Sequence, residues 1–175
     1  TLGRVALIES DEGIREEALG GLAQLGPFAE PAIPELIECL KDTERSDRFL
    51  PCICFWRIGP PASKAVGVLT ELASEKSSVR GLQGAAVNAL GSIGEFPEPV
   101  IAALTAALAS KDKSVSGQAI KALFAAGSHA GPASDQILDY VRRNAEKPAN
   151  SNFATAIRAI GTSGTEAKDA IPVLL

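Results

Sequence analysis

The sequence contains no methionine, one histidine, one tryptophan and one tyrosine among its 175 residues, and aromatics make up only 5% of it. A core built around large rings is therefore excluded. The apolar content is 46%, much of it alanine alongside the aliphatics, and glycine is frequent; small residues suit helices that approach one another closely. Three cysteines, Cys39, Cys52 and Cys54, form an odd set without the spacing of a disulfide framework. Free thiols behave as small buried hydrophobes and point to a reducing compartment, so the chain is assigned to the cytoplasm. No apolar run reaches the length of a membrane span and no signal peptide heads the chain, which argues against a membrane partner. The missing methionine at position 1 implies a chain processed or cut from something longer. The net charge is −4 and the pI about 5.1, with Lys and Arg scattered among acids. That balance gives no electrostatic grip on a phosphate backbone, so nucleic acid is not an expected partner.

What the sequence does contain is a repeat. An apolar residue followed by glycine recurs at Gly26, Gly59, Gly94, Gly127 and Gly161, with successive spacings of 33, 35, 33 and 34 residues. Four residues before each glycine stand Leu22, Phe55, Leu90, Leu123 and Ile157; one before stand Leu25, Ile58, Ile93, Ala126 and Ile160. With apolar residues at minus seven and small ones at minus eight, this is a helical stripe at i, i+3, i+4, i+7. The glycine is expected to stop the helix in a left-handed cap. A second apolar stripe follows each stop: Ile33, Leu36, Ile37 and Leu40 in the first copy, and Ile137, Leu138 and Val141 in the fourth. Pro31, Pro61, Pro99 and Pro132 are expected in the first turns of these second helices.

The predicted fold is all-α, a right-handed α-solenoid of about four and a half antiparallel helix pairs in one domain. Residues 1–10 form the tail of a preceding repeat, 11–46, 47–78, 79–114 and 115–150 form repeats, and 151–175 a partial one. Neither end has the polar cap a solenoid needs, so a segment of a longer solenoid is expected. Pro51 should kink or delay its helix, and Thr162-Ser163-Gly164-Thr165 inserts about three residues in the last copy. The stretch from Ile14-Arg15-Glu16-Glu17-Ala18-Leu19 to Leu25-Gly26, continued by Ala32-Ile33-Pro34-Glu35-Leu36, resembles the HEAT repeat. It is closest to the short HEAT-like version found in phycobilisome bilin lyases and many bacterial proteins, and Ala170-Ile171-Pro172 repeats its second half. The resemblance implies that second helices line a concave, armadillo-like binding face.

No residue set argues for chemistry: no catalytic group, metal site or cofactor is assigned. Cys52 and Cys54 stand two apart on one helix, where side chains diverge by about 200°, so packing is preferred to metal binding. The single His129 sits in a loop, which excludes the paired His-Glu motifs of HEAT-like hydroxylases. Phosphate-loop, dinucleotide and Gly-x-Ser-x-Gly patterns are missing. Arg15, Arg48 and Arg80, near Asp11, Asp47 and Glu75, are read as charge ladders between repeats. The candidate partner-binding residues come from counting nine, twelve and thirteen past each glycine: Glu35, Glu38, Glu71, Gln136, Asp139 and Tyr140. They suggest an acidic face for a protein or peptide with a basic segment, the alternative being an ordinary solvated helix face. Trp56 is a further candidate anchor, though packing with Phe49 and Phe55 around Pro51 is preferred. The expected function is a non-enzymatic scaffold or interaction module. Alternatives are a bilin-lyase-like chromophore-attachment or chaperone subunit, and an architectural spacer.

Overall fold

A computed structural model describes residues 1–74, 81–145 and 151–163. Among them are ten α-helices and no strand. The chain divides into two compact units, Thr1–Glu95 and Phe96–Leu175.

The first unit holds α1 (Leu2–Ile8), α2 (Glu12–Leu25), α3 (Ile33–Lys41), α4 (Phe49–Ile58), α5 (Val66–Ser74) and α6 (Leu82–Ile93). The Asp11 side chain starts α2 by accepting from the Ile14 amide at 3.1 Å, which satisfies one of the donors a helix start leaves open. Helix α4 starts late, as Pro51 implied. It begins at Phe49, which puts the proline in the first turn, where its missing amide hydrogen costs nothing. Leu19, Leu36, Leu40, Phe55, Ile58 and Leu69 are fully buried between α2, α4 and α6 on one side and α1, α3 and α5 on the other. Leu36 shows the scale of this packing: truncating such a side chain to alanine costs about 2–5 kcal/mol.

The second unit repeats the pattern with α7 (Glu98–Leu108), α8 (Lys113–Ala126), α9 (Ser134–Asn144) and α10 (Ser151–Thr162). Asp112 caps α8 by accepting from the Ser114 amide at 2.8 Å. Leu104, Leu108, Ile120, Leu123, Ile137 and Val141 fill its core. The chain is an all-α solenoid, as the 33–35-residue period predicts.

Three local expectations are corrected. The segments Gly26–Ala32, Pro60–Ala65 and Gly127–Ala133 are 3₁₀ helices, so Pro31, Pro61 and Pro132 lie in them and not in the first turns of α-helices; only Pro99 takes that place. These segments rise about 2 Å per residue and hold α2 apart from α3. In the first unit the first helices pack closely on one another, α2 on α4 and α4 on α6, and α1 packs on α2 and α5 on α6. Of the five repeating glycines, only Gly94 takes the left-handed cap conformation, at φ 79° and ψ 15°. Gly26, Gly59 and Gly127 pair φ of 55–71° with ψ of −124° to −139° and feed the 3₁₀ turns. Gly161 stops nothing: α10 runs through it to Thr162 without a positive φ.

The charge ladder is partly present. Asp47, fully buried, accepts from Arg15 Nε at 3.1 Å and from Arg45 at 2.8 Å through both carboxylate oxygens. Arg45 also donates to the carbonyls of Ala6 and Leu7 near the end of α1, and Arg48 Nε donates to Leu40 O at 2.8 Å. The expected Arg80–Glu75 rung lies outside the described residues, as do Gly164-Thr165 of the insertion and Ala170-Ile171-Pro172.

Candidate partner-binding surface

Helix α3 carries its apolar and polar residues at different angles around its axis. Ile33, Leu36, Cys39 and Leu40 turn inward, while Glu38 and Lys41 are exposed and Glu35 is half-buried. Glu38 pairs with Lys41 at 2.8 Å, both ends well exposed, an ion pair of the kind that contributes only some tenths of a kcal/mol. Among the described residues Glu35 has no such partner.

Two hollows flank Glu35. The first, about 230 Å³, is walled by Leu2, Leu22, Leu25, Phe28, Pro31 and Ala32. The second, about 370 Å³, is walled by Leu7, Ile33, Pro34, Ile37, Glu38 and Lys64. Glu35 lines both. Phe28 is 86% exposed at the rim of the first. These apolar walls escaped the sequence count, which looked only at polar positions. The available signal was Phe28 itself, two residues past its glycine, where the other 3₁₀ segments hold Pro61 and His129 at an exposed position.

The other candidates are distributed as follows. Glu71 is exposed on α5 of the first unit; Gln136 and Asp139 are exposed on α9 of the second, and Asp139 pairs with Arg143 at 2.9 Å. Tyr140 is 4% exposed and leaves the candidate set. Its place thirteen past the glycine is held elsewhere by Cys39, Leu72 and Ala107, all buried, whereas twelve past the glycine Glu38, Glu71, Ala106 and Asp139 are all exposed. One residue of helix is about 100° of rotation, enough to carry a side chain from surface to core. Burial also raises the Tyr140 phenol above its ordinary pKa.

Trp56, on α4, is 41% exposed, so it is a surface ring and not the packing residue that was preferred for it. The Arg57 guanidinium lies 5.3 Å from its ring centroid, a cation–π arrangement. Trp56 borders neither hollow.

Cys39, Cys52 and Cys54 are free and buried. Desolvation pushes the Cys52 and Cys54 thiols up to about 12, which leaves them unreactive near neutrality. Among the described residues no group of three or more His, Cys, Asp or Glu side chains converges on a metal position. No described helix is long and apolar enough to cross a membrane. His129 is exposed, its Nδ1 3.1 Å from the Ala126 carbonyl.

Comparison with known sequences and structures bears on this arrangement. A family model described as HEAT repeats matches residues 33–124, and one described as PBS lyase HEAT-like repeat matches residues 14–42. No curated protein gives a match. Three crystal structures, each of an engineered protein, have the same fold. The first shares 20% identity at a TM-score of 0.72, over 99% of this chain and 86% of its own. The second shares 22% at 0.70, over 99% of this chain and 50% of its own. The third shares 21% at 0.72, over 98% and 86%.

Proposed function

Since the chain belongs to the HEAT-repeat family, we propose that it is an interaction module whose second helices hold a protein or peptide partner. In the first unit the face is carried by Glu35, Glu38 and Glu71, and in the second by Gln136 and Asp139. The supporting observation is the apolar hollow that Leu7, Ile33, Pro34 and Ile37 wall beside Glu35. Concave apolar surface with a few fixed polar groups is what recognition of a peptide segment needs. Recognition rests on shape and charge, with no chemical step, and the acids favour partners with basic segments. The family model described as PBS lyase HEAT-like repeat covers residues 14–42, and a bilin-lyase-like chromophore-attachment or chaperone role is the alternative reading.

The test is a pull-down from the source cell's lysate with the native chain and with a variant carrying Glu35, Glu38, Glu71 and Asp139 all as lysine. A partner held by the native chain and lost by a variant with unchanged far-UV circular dichroism supports the module. The same proteins retained by both would leave an architectural spacer as the better reading.

A further inference from the structure

The apolar surface beside Glu35 continues past Lys64. A further hollow, about 280 Å³, is walled by Glu30, Pro31, Ile33, Pro34, Pro61 and Lys64. It shares Ile33, Pro34 and Lys64 with the 370 Å³ hollow that Leu7, Glu35, Ile37 and Glu38 complete. The two form one groove that runs from Pro31 and Pro61 to Leu7, with Lys64 at the junction. The walls set the order of charge. Glu30 belongs to one hollow, Lys64 to both, and Glu35 and Glu38 to the other. Glu30 and Lys64 are exposed and Glu35 is half-buried. Among the described residues these three make no ion pair, whereas Glu38 is engaged by Lys41. The groove thus offers a negative, a positive and a negative group in turn between apolar walls.

We infer that this groove takes an extended peptide segment with an acidic residue between two basic ones at alternate positions, the acid on Lys64 and the bases on Glu30 and Glu35. This rests on the interaction-module reading and narrows it to one order of charges. Along the 3₁₀ segment and the start of α3, Glu30 stands about 9 Å from Glu35 and about 13 Å from Glu38. Four residues of extended chain span about 13 Å, and alternate side chains point to the same face. Bases four residues apart therefore reach the acids at the two ends, and the residue midway reaches Lys64. The aliphatic stems of lysine or arginine cover the apolar walls while their charged heads stay at the rim. Burial of the stems contributes affinity, and the order of charges sets the register. A uniformly basic segment is repelled by Lys64, and a uniformly acidic one by Glu30 and Glu35.

The experiment is selection of a random peptide display library on the whole chain, followed by titration of synthetic peptides from the enriched set. The expected result is enrichment of an acidic residue with a basic residue two positions away on each side. Lys64→Glu turns an attraction into a repulsion and should weaken such a peptide about tenfold, with far-UV circular dichroism unchanged because the side chain is exposed. A peptide whose acid is replaced by lysine should bind the Lys64→Glu variant better than the native chain. Glu30→Gln and Glu35→Gln should each weaken the original peptide about threefold. Enriched peptides that bind Lys64→Glu as well as the native chain, but are lost on Glu71→Lys or Asp139→Lys, would overturn this inference and leave the broader reading standing. A library that yields no binder overturns both.

Discussion

Asp47 carries an unusual load for one side chain: fully buried, it holds Arg45 in a two-pronged pair and Arg15 from the neighbouring repeat. Burial alone would raise its pKa, but the hydrogen bonds from Arg45 and Arg15 outweigh desolvation, and the net direction is downward. A carboxylate whose folded pKa is depressed stabilises the fold fully above its unfolded pKa, about 3.9. That contribution is lost as pH falls from there through the folded value. Asp47→Asn leaves the Arg45 guanidinium buried without its counter-charge and should cost about 3 kcal/mol at neutral pH. Urea unfolding at pH 7 and at successively lower pH checks both points: the variant should start lower and lose less between pH 4 and pH 2. The Arg15–Asp47 rung was legible, since both residues stand near successive helix starts. Arg45 was not, because it lies in the turn after α3 and reaches the end of α1, residues 38 and 39 positions away, only in the folded chain. The binding face divides the same way. Glu35 and Glu38 follow from counting along the repeat, while their flanks draw on α1, α2, the first 3₁₀ segment and Lys64 as well as α3, which no count along α3 alone brings together.

At the scale of the element, the same sequence landmark performs three different jobs. Gly59 sits at φ 71° and ψ −139°, a region that side chains with a Cβ almost never enter. Gly94 sits in the left-handed helical well, which other residues enter at moderate cost. Gly161 lies within α10 at negative φ, with open space around it. Alanine substitution should therefore rank them: Gly59→Ala destabilising by about 2 kcal/mol, Gly94→Ala by about 1, and Gly161→Ala stabilising by about 0.5. An added Cβ at Gly59 meets only ordinary van der Waals neighbours, Ser92 among them at 3.7 Å, so the cost is backbone strain and not crowding. Thermal melts of the three variants test the order. The identical spacing hides these differences because an apolar-Gly pair marks the end of a stripe without fixing the dihedrals that follow. What does distinguish them is the next six residues. Ala29 and Ala32, Ala62 and Ala65, and Ala130 and Ala133 stand three apart and are buried, and side chains three apart align in a 3₁₀ helix. The Gly-x-x-Ala-x-x-Ala pattern therefore signalled the extra element. It is missing after Gly94, where Glu95, Phe96 and Pro97 lead straight into α7.

For the whole molecule, the repeat period was sufficient to read the class of fold, because one helix pair cannot bury both its faces and neighbours must stack. The same logic governs how stability is distributed. In an array each helix draws its stabilisation from its immediate neighbours, so two distant core substitutions have no packing partner in common. Leu36 on α3 packs within a set that includes α1, α4 and α5, whereas Leu123 on α8 packs within a set that includes α7 and α10; both are fully buried. Leu36→Ala and Leu123→Ala should each cost about 3 kcal/mol. The double variant should lose the sum of the two to within about 0.5 kcal/mol, measured by urea unfolding followed by far-UV circular dichroism. Two substitutions sharing neighbours behave differently. Leu36→Ala with Leu40→Ala empties adjoining space on one helix, where the second truncation falls into a cavity the first has already relaxed, and their sum should fail by more than 0.5 kcal/mol. A coupling of that size between Leu36 and Leu123 instead would mean that stability is held collectively along the chain and not from neighbour to neighbour.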